Sequence, residues 1–262
     1  MDIVIIGAGN VAHHIARSFK NNSGINIVQA FNHRSSKIAK SFAKQNNIEL
    51  VTDYNQIHKN AALYFVCVKD DVLSVVAHQL SALKLQGLVV HTSGSMDLTT
   101  LEKSSKHYGV YYPLQTFSAT SIINWKTTPI LIEASSPTSL KTLRSIASAV
   151  SLVVKVVNSK ARLKLHLAAV LASNFTNALH AAAFDFIETN FTKKDTILLK
   201  PLMQESFGKL NALTPKQAQT GPAMRNDKVV MKKHLALLRS DKQLTSIYKL
   251  LSDLIIKQQG IK

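Results

Sequence analysis

Short apolar runs alternate with amphipathic stretches through the first half of the chain. Residues 3–7 (IVIIG) are an apolar run ending in glycine, and helical spacing follows through Val11, Ile15 and Phe19. INIVQAF (25–31) reads as a second strand and SSKIAKSFAKQN (35–46) as a second helix. ELVTD (49–53) gives a short third strand and LYFVCV (63–68) a fourth, followed by a helix through Val72, Val75, Val76 and Leu80. LVVHTS (88–93) is a fifth strand; GVYYP (109–113) and PILIEA (129–134) extend the sheet. A helix over 139–148 and a last strand, SLVVKVV (151–157), complete the pattern. Apolar strands alternating with helices predict an α/β fold: a doubly wound, mostly parallel sheet covered on both faces.

Beyond Val157 the pattern changes. No strand period survives, and Leu, Ala and Lys recur at helical spacing. The segment from Ser159 to about Asn190 contains no proline or glycine to stop a helix, and shorter helices are predicted around 195–212, 214–219, 227–239 and 241–258. The predicted organisation is a sheet domain over 1–157 and an all-helical domain over 158–262.

Bulk properties narrow the picture. A chain of 262 residues with 46% apolar content is long enough for one large domain or two modest ones. No uninterrupted apolar run approaches the roughly 20 residues of a bilayer span. The start, with Asp2 and a run broken at once by glycine, does not read as a signal peptide. One cysteine, Cys67, excludes an internal disulfide and fits a reducing cytoplasm, which is the expected location. It sits inside LYFVCV and reads as a core thiol rather than a nucleophile. The net charge of +17 is dispersed. Its densest clusters, KARLK (160–164) and MKK (231–233), lack the interleaved aromatics that stack bases, so neither nucleic acid nor membrane is an expected partner. An anionic cofactor or a basic host proteome accounts for the charge.

The opening run supplies the first chemistry. Gly7-Ala8-Gly9-Asn10-Val11-Ala12 is G-x-G-x-x-A between a strand and a helix. The first glycine permits a tight turn, the second admits a pyrophosphate to the backbone, and the alanine packs helix on strand. The helix N-terminus then offers free N–H donors to the phosphates. The competing reading is an ordinary tight turn. In NAD-binding domains an acid at the end of the second strand bonds the ribose hydroxyls. That place holds Asn32-His33-Arg34-Ser35-Ser36, with no acid, and Arg34 offers a planar fork for a phosphate. The expected cofactor is therefore NADP(H), held by Gly7, Gly9, Asn10, Val11, Asn32, Arg34 and Ser35; the alternative is a solvated basic loop. No metal is expected.

Five stretches, GAGNVAHHIA (7–16), HTSG (91–94), YPLQTF (112–117), LASNF (171–175) and TGPAMRND (220–227), together resemble a bacterial family of NADP-dependent oxidoreductases. That family joins a Rossmann-like N-terminal domain to a helical C-terminal domain of poorly assigned function. It is a cousin of ketopantoate reductase, pyrroline-5-carboxylate reductase and the 6-phosphogluconate dehydrogenase group. The resemblance spans essentially the whole chain. It implies a two-domain reductase of a small molecule, a homodimer through its C-terminal helices, and a site in the cleft between domains. It supplies no substrate.

Candidate site residues follow from the motifs. HTSGS ends the fifth strand, where Ser93 and the Gly94 backbone either line the site or form a serine-capped turn. The family carries His before the proline of YPLQTF; here Tyr112 stands there, and no acid–base role is assigned to it, while Gln115 and Thr116 read as polar liners. On the long segment Arg162, His166, Ser173, Asn177 and His180 fall in a stripe of roughly 60° at about 100° per residue. Asn174 lies at its edge. Related dehydrogenases carry a lysine four residues before such an asparagine, but here that residue is Val170. His166 is left as the candidate general acid, or as a structural histidine at a dimer interface. Arg225 either clamps a substrate carboxylate or pairs with Asp227, which alternatively caps the next helix. Together these predict an NADPH-dependent reductase passing hydride to a C=O or C=N carbon of a small carboxylate-bearing substrate. His166 or water gives the proton, Asn174 and Ser93 hold the reacting group, and Arg225 holds the carboxylate. Ketopantoate is the narrower reading by kinship alone; a non-catalytic NADP(H) sensor is the alternative of another class.

Overall fold

The computed structural model describes residues 1–20 and 24–260. It divides into two compact units, residues 1–174 and 175–262. The division falls inside the long helical segment rather than at 157, so residues 158–174 belong with the sheet.

In the first unit the described residues form an eight-stranded sheet of order β3-β2-β1-β4-β5-β6-β7-β8. Its strands are β1 (Asp2–Ile6), β2 (Asn26–Phe31), β3 (Glu49–Val51), β4 (Leu63–Val66), β5 (Leu88–His91), β6 (Tyr108–Pro113), β7 (Ile130–Ala134) and β8 (Val154–Val156). All neighbours are parallel except β6 and β7. Helices α1 (Asn10–Phe19), α2 (Lys37–Asn46), α3 (Asp70–Ser81) and α4 (Pro137–Ser148) connect or cover them. Strand order reverses between β1 and β4, the switch point where such sheets open a crevice at their carboxyl ends.

Strand alternation builds two cores. Ile3 and Ile5 point into one with Ala12, Phe19, Phe42 and Leu143; Val4 and Ile6 point into the other with Leu73, Ala77 and Leu80. Cys67 is buried, and burial pushes its thiol up to about 12, partly offset by a hydrogen bond with Thr92. A thiol so held stays protonated and unreactive, as the core reading requires.

Local side-chain bonds shorten three of the expected strands. The Asp53 carboxylate accepts from Asn55 N at 2.9 Å and starts a turn after β3. The Ser151 hydroxyl donates to Thr128 O at 2.6 Å and accepts from Val153 N at 3.0 Å, delaying β8 to Val154. After His91 the Ser93 hydroxyl accepts from Ser95 N at 3.1 Å and Met96 N at 3.0 Å, closing β5. In each case the side chain offers the backbone a partner that competes with the ladder.

The long helical segment begins as α5 (Ser159–Ala169), capped by Asn158, whose side chain accepts from Ala161 N at 2.8 Å. Its middle, Val170–Phe175, is a π-helix, and α6 (Thr176–Asn190) follows. A π-turn inserts about one residue and turns the helix face by about 100°. The uniform spacing behind the predicted stripe therefore does not hold beyond Ala169. By length and composition alone the 32 residues 159–190 are enough to cross a bilayer, which no single apolar run in the sequence suggested. Core helices of soluble proteins have the same length and composition.

The second unit contains α6, α7 (Lys200–Gly208), α8 (Pro215–Ala218), α9 (Lys228–Leu237) and α10 (Lys242–Gln259) among its described residues. The helix expected over 195–212 is broken into a 3₁₀ segment, Lys193–Leu199, then α7 and a short turn. Pro201 explains the first break, since proline fits only a first helical turn. Asp227 caps α9 by accepting from Val230 N at 3.0 Å. His234 pairs with the Tyr248 hydroxyl at 2.9 Å. This unit leaves much of its apolar surface open, including Phe191, Ile197, Leu198, Leu202 and Phe207.

Candidate active site

The glycine-rich turn has the geometry its sequence demands. Gly7 has φ +102°, and a side-chain carbon there would lie 2.5 Å from Cys67 O, so only glycine fits. Its N–H donates to Phe31 O at 2.8 Å, locking the turn to β2. A carbon added to Gly9 meets nothing within 4 Å. Gly9 begins α1 with no side-chain cap, whereas the serine before α2 caps that helix by accepting from Ala39 N at 3.2 Å. The α1 N-terminus thus keeps free donors over an open face, which fits a pyrophosphate.

Residues at the end of β2 make the second part. Asn32 donates to Arg34 O at 2.7 Å and so shapes the loop rather than standing free. Arg34 and Ser35 are exposed, and the Arg34 guanidinium has no hydrogen bond or ion pair among the described residues. A cation without a counterion beside the ribose position suits a phosphate.

A cleft of about 520 Å³ opens beside α1, within the range of small-ligand sites. Val11, Tyr112, Gln115, Phe117, His166 and Asn174 are among its lining residues. Asn10 and His14 tie the loop after β6 over α1: Asn10 Nδ2 donates to Phe117 O at 3.2 Å, and His14 Nε2 donates to Ser118 O at 2.8 Å. Among its polar groups is a pair the sequence did not reveal: the Tyr112 hydroxyl and His166 Nδ1 are hydrogen bonded at 2.9 Å. Burial raises the Tyr112 pKa; the Arg162 charge opposes this and the Asp70 charge adds to it. The phenol therefore keeps its proton at neutral pH. Gly94 makes the pairing possible, because a side-chain carbon there would lie 2.7 Å from His166 Nδ1 and 2.8 Å from Tyr112 Cζ.

The predicted site residues separate accordingly. His166, Asn174, Gln115, Thr116 and Ser173 meet at the cleft, with Val170 among its apolar lining. Ser93 is not among the lining residues; its hydroxyl is engaged in the turn, so the serine-capped reading describes it. Arg225 lies in the second unit, exposed, and forms no ion pair with Asp227, which serves as the α9 cap. No lining residue of the cleft is Lys, Arg, Asp or Glu.

His91, the first residue of the HTSG motif, is fully buried and accepts from Ser93 N at 3.2 Å through Nδ1. Burial, reinforced by the Arg162 charge, lowers its pKa from 6.5 to about 4. An unfolded chain takes up this proton near pH 6.5, whereas the folded one refuses it until about pH 4. The resulting stability is complete above that window and is lost as pH falls through it, by about 3 kcal/mol in all. Urea unfolding across this range should show the loss, and a His91→Gln variant should show a flatter profile.

Comparison with known proteins follows this geometry. Residues 2–94 match a family model described as NADP oxidoreductase, coenzyme F420-dependent, and residues 128–255 match a domain of unknown function, DUF2520. No curated protein matches the chain. Among solved structures, a Bacteroides fragilis protein assigned as an NADP oxidoreductase is 37% identical, with a TM-score of 0.90 and 98% of each chain covered. An imine reductase from Myxococcus stipitatus in complex with NADP⁺ superposes at 0.67 with 17% identity, covering 98% of this chain and 93% of its own. A 1-pyrroline-5-carboxylate reductase from Streptococcus pyogenes superposes at 0.64 with 14% identity, covering 100% and 99%. The last two likenesses concern the fold.

Proposed function

This chain belongs to the NADP oxidoreductase family, and on that premise we propose that it reduces a C=O or C=N bond, with the Tyr112–His166 pair delivering the proton. The observation that carries this reading is the hydrogen bond between those two side chains in the wall of the cleft that also contains Val11. Gly7, Gly9, Asn10 and Val11 would hold the dinucleotide's pyrophosphate end, and Asn32, Arg34 and Ser35 its 2′-phosphate. When bound, the reduced cofactor supplies the hydride.

Tyr112 serves as the proton donor: its raised pKa keeps the phenol protonated until hydride addition creates a strong base, the alkoxide from C=O or the nitrogen anion from C=N, which takes the proton to give the alcohol or amine. His166 Nδ1, bonded to the phenol oxygen, would return a proton to the phenolate left behind or stabilise its charge as a donor. Gln115 and Asn174 would orient the reacting group by neutral hydrogen bonds. The names of two structural neighbours, an imine reductase and a pyrroline-5-carboxylate reductase, both describe C=N reduction and favour imines as first substrates to test. The cleft lining offers a substrate carboxylate no Lys or Arg, so imines form the first panel and 2-oxo acids such as ketopantoate the second.

The cofactor assignment has its own test. Arg34→Asp removes a charge-assisted phosphate contact and adds repulsion, so NADPH affinity should fall by about tenfold to a hundredfold while NADH affinity is kept. Calorimetric titration with both nucleotides measures it; an unchanged NADPH preference contradicts the reading of β2.

The second unit is proposed to pair with a second copy of the chain. Its open apolar residues, Phe207 and Leu202 among them, are the surface such pairing would cover. Light scattering should give twice the chain mass, and Leu202→Glu with Phe207→Glu should give a single chain.

A further inference from the structure

Beneath the cleft lies a buried ionic cluster that the proposed reaction does not itself use. Glu133, in β7, holds the first turn of α5: its carboxylate accepts from Ser159 N at 3.0 Å and from the Ser159 hydroxyl at 2.8 Å. The same carboxylate forms an ion pair with Arg162, which is fully buried. The other terminal nitrogen of Arg162 donates to Met96 O at 2.5 Å and to the Ser159 hydroxyl at 3.1 Å. Leu98 N donates to that same hydroxyl at 2.9 Å. Strand β7, helix α5 and the loop after β5 therefore meet on one guanidinium.

The position of this cluster is informative. One helical turn beyond Arg162 stands His166, and two residues before Met96 stands Gly94, packed against His166 and Tyr112. A buried ion pair is seldom more stabilising than well-packed apolar side chains, so stability alone gives little reason for it. Its geometry does give one. Arg162 grips the loop by one nitrogen and the sheet by the other, and the planar fork suits this double hold in a way that lysine does not.

We propose that Arg162, with Glu133 as its counterion, is a positioning residue that ties the 93–98 loop to α5 and so fixes His166 against Tyr112. The proposal rests on the reading that this pair delivers the proton. The Tyr112 phenol is faced by His166 and Arg162 from α5 and by Asp70 at the start of α3. The Arg162 charge favours its ionisation, and burial with the Asp70 charge opposes it.

Two variants separate positioning from simple support. Arg162→Lys keeps the charge but loses the fork. The kcat should fall about tenfold to a hundredfold at an unchanged KM for NADPH, with the Tyr112 titration near that of the native protein. Glu133→Gln keeps an acceptor for Ser159 but leaves the Arg162 charge unbalanced, and Tyr112 should ionise about one pH unit lower. The phenol is followed by NMR of ¹³C-labelled tyrosine, with its signal assigned by its loss in Tyr112→Phe. Full kcat in Arg162→Lys, or an unmoved Tyr112 titration in Glu133→Gln, overturns the proposal. The titration needs no turnover, so it decides the placement even where no substrate is reduced, and Glu133→Gln decides it where Arg162→Lys fails to fold.

Discussion

Tyr112→Phe should lower kcat by about a hundredfold or more while leaving NADPH affinity unchanged. The substitution removes one oxygen and keeps the ring, so packing beside His166 survives while the transferable proton and the hydrogen bond to His166 are lost. Positioned acids contribute on the order of 10²–10⁴ in rate. The pH profile gives a second signature. Burial sets the Tyr112 ionisation above the ordinary tyrosine value, so the native enzyme should lose activity only at strongly alkaline pH, and the variant should lack that limb. His166→Gln should be less severe than Tyr112→Phe if the phenol is the direct donor, and steady-state rates with one substrate rank the two.

Gly94→Ala should be nearly as damaging, although it touches no reacting atom. Its added carbon would lie within 2.8 Å of both the His166 and the Tyr112 ring, closer than packed atoms tolerate. The rings must part, and a 2.9 Å hydrogen bond does not survive such a shift. We expect kcat to fall by about tenfold to a hundredfold. Overpacking of this kind costs stability of about 1–3 kcal/mol. NADPH binding should be preserved, because Gly7 and Gly9 form a separate turn. Kinetics and calorimetric titration on the same preparation test both halves; full activity in Gly94→Ala would show that the pair is not held as described.

Much of the nucleotide-binding half is legible in the sequence because its signals are local. The strand periods, the glycine demanded at Gly7 and the apolar setting of Cys67 each depend on neighbours in the chain. The paired site is not local. Tyr112 and His166 are separated by 54 residues, and Glu133 and Arg162 by 29, so no window of sequence shows either contact. Tyr112 carries no acid–base signature of its own in the sequence; its contact with His166 is what singles it out. The helical stripe fails for a physical reason: it needs uniform spacing, and the π-helix at Val170–Phe175 breaks it. Ser93 was readable only as an alternative, since a serine after a strand caps a turn as readily as it lines a site.

Consumption of NADPH, followed by its absorbance with a panel of cyclic imines and 2-oxo acids, tests the central claim most directly when run on the native protein beside Tyr112→Phe. The account predicts oxidation by the native protein with at least one panel member, and a loss of about a hundredfold in the variant. Tight NADPH binding without oxidation of the cofactor by any member would contradict it and leave a nucleotide-sensing protein in place of an enzyme.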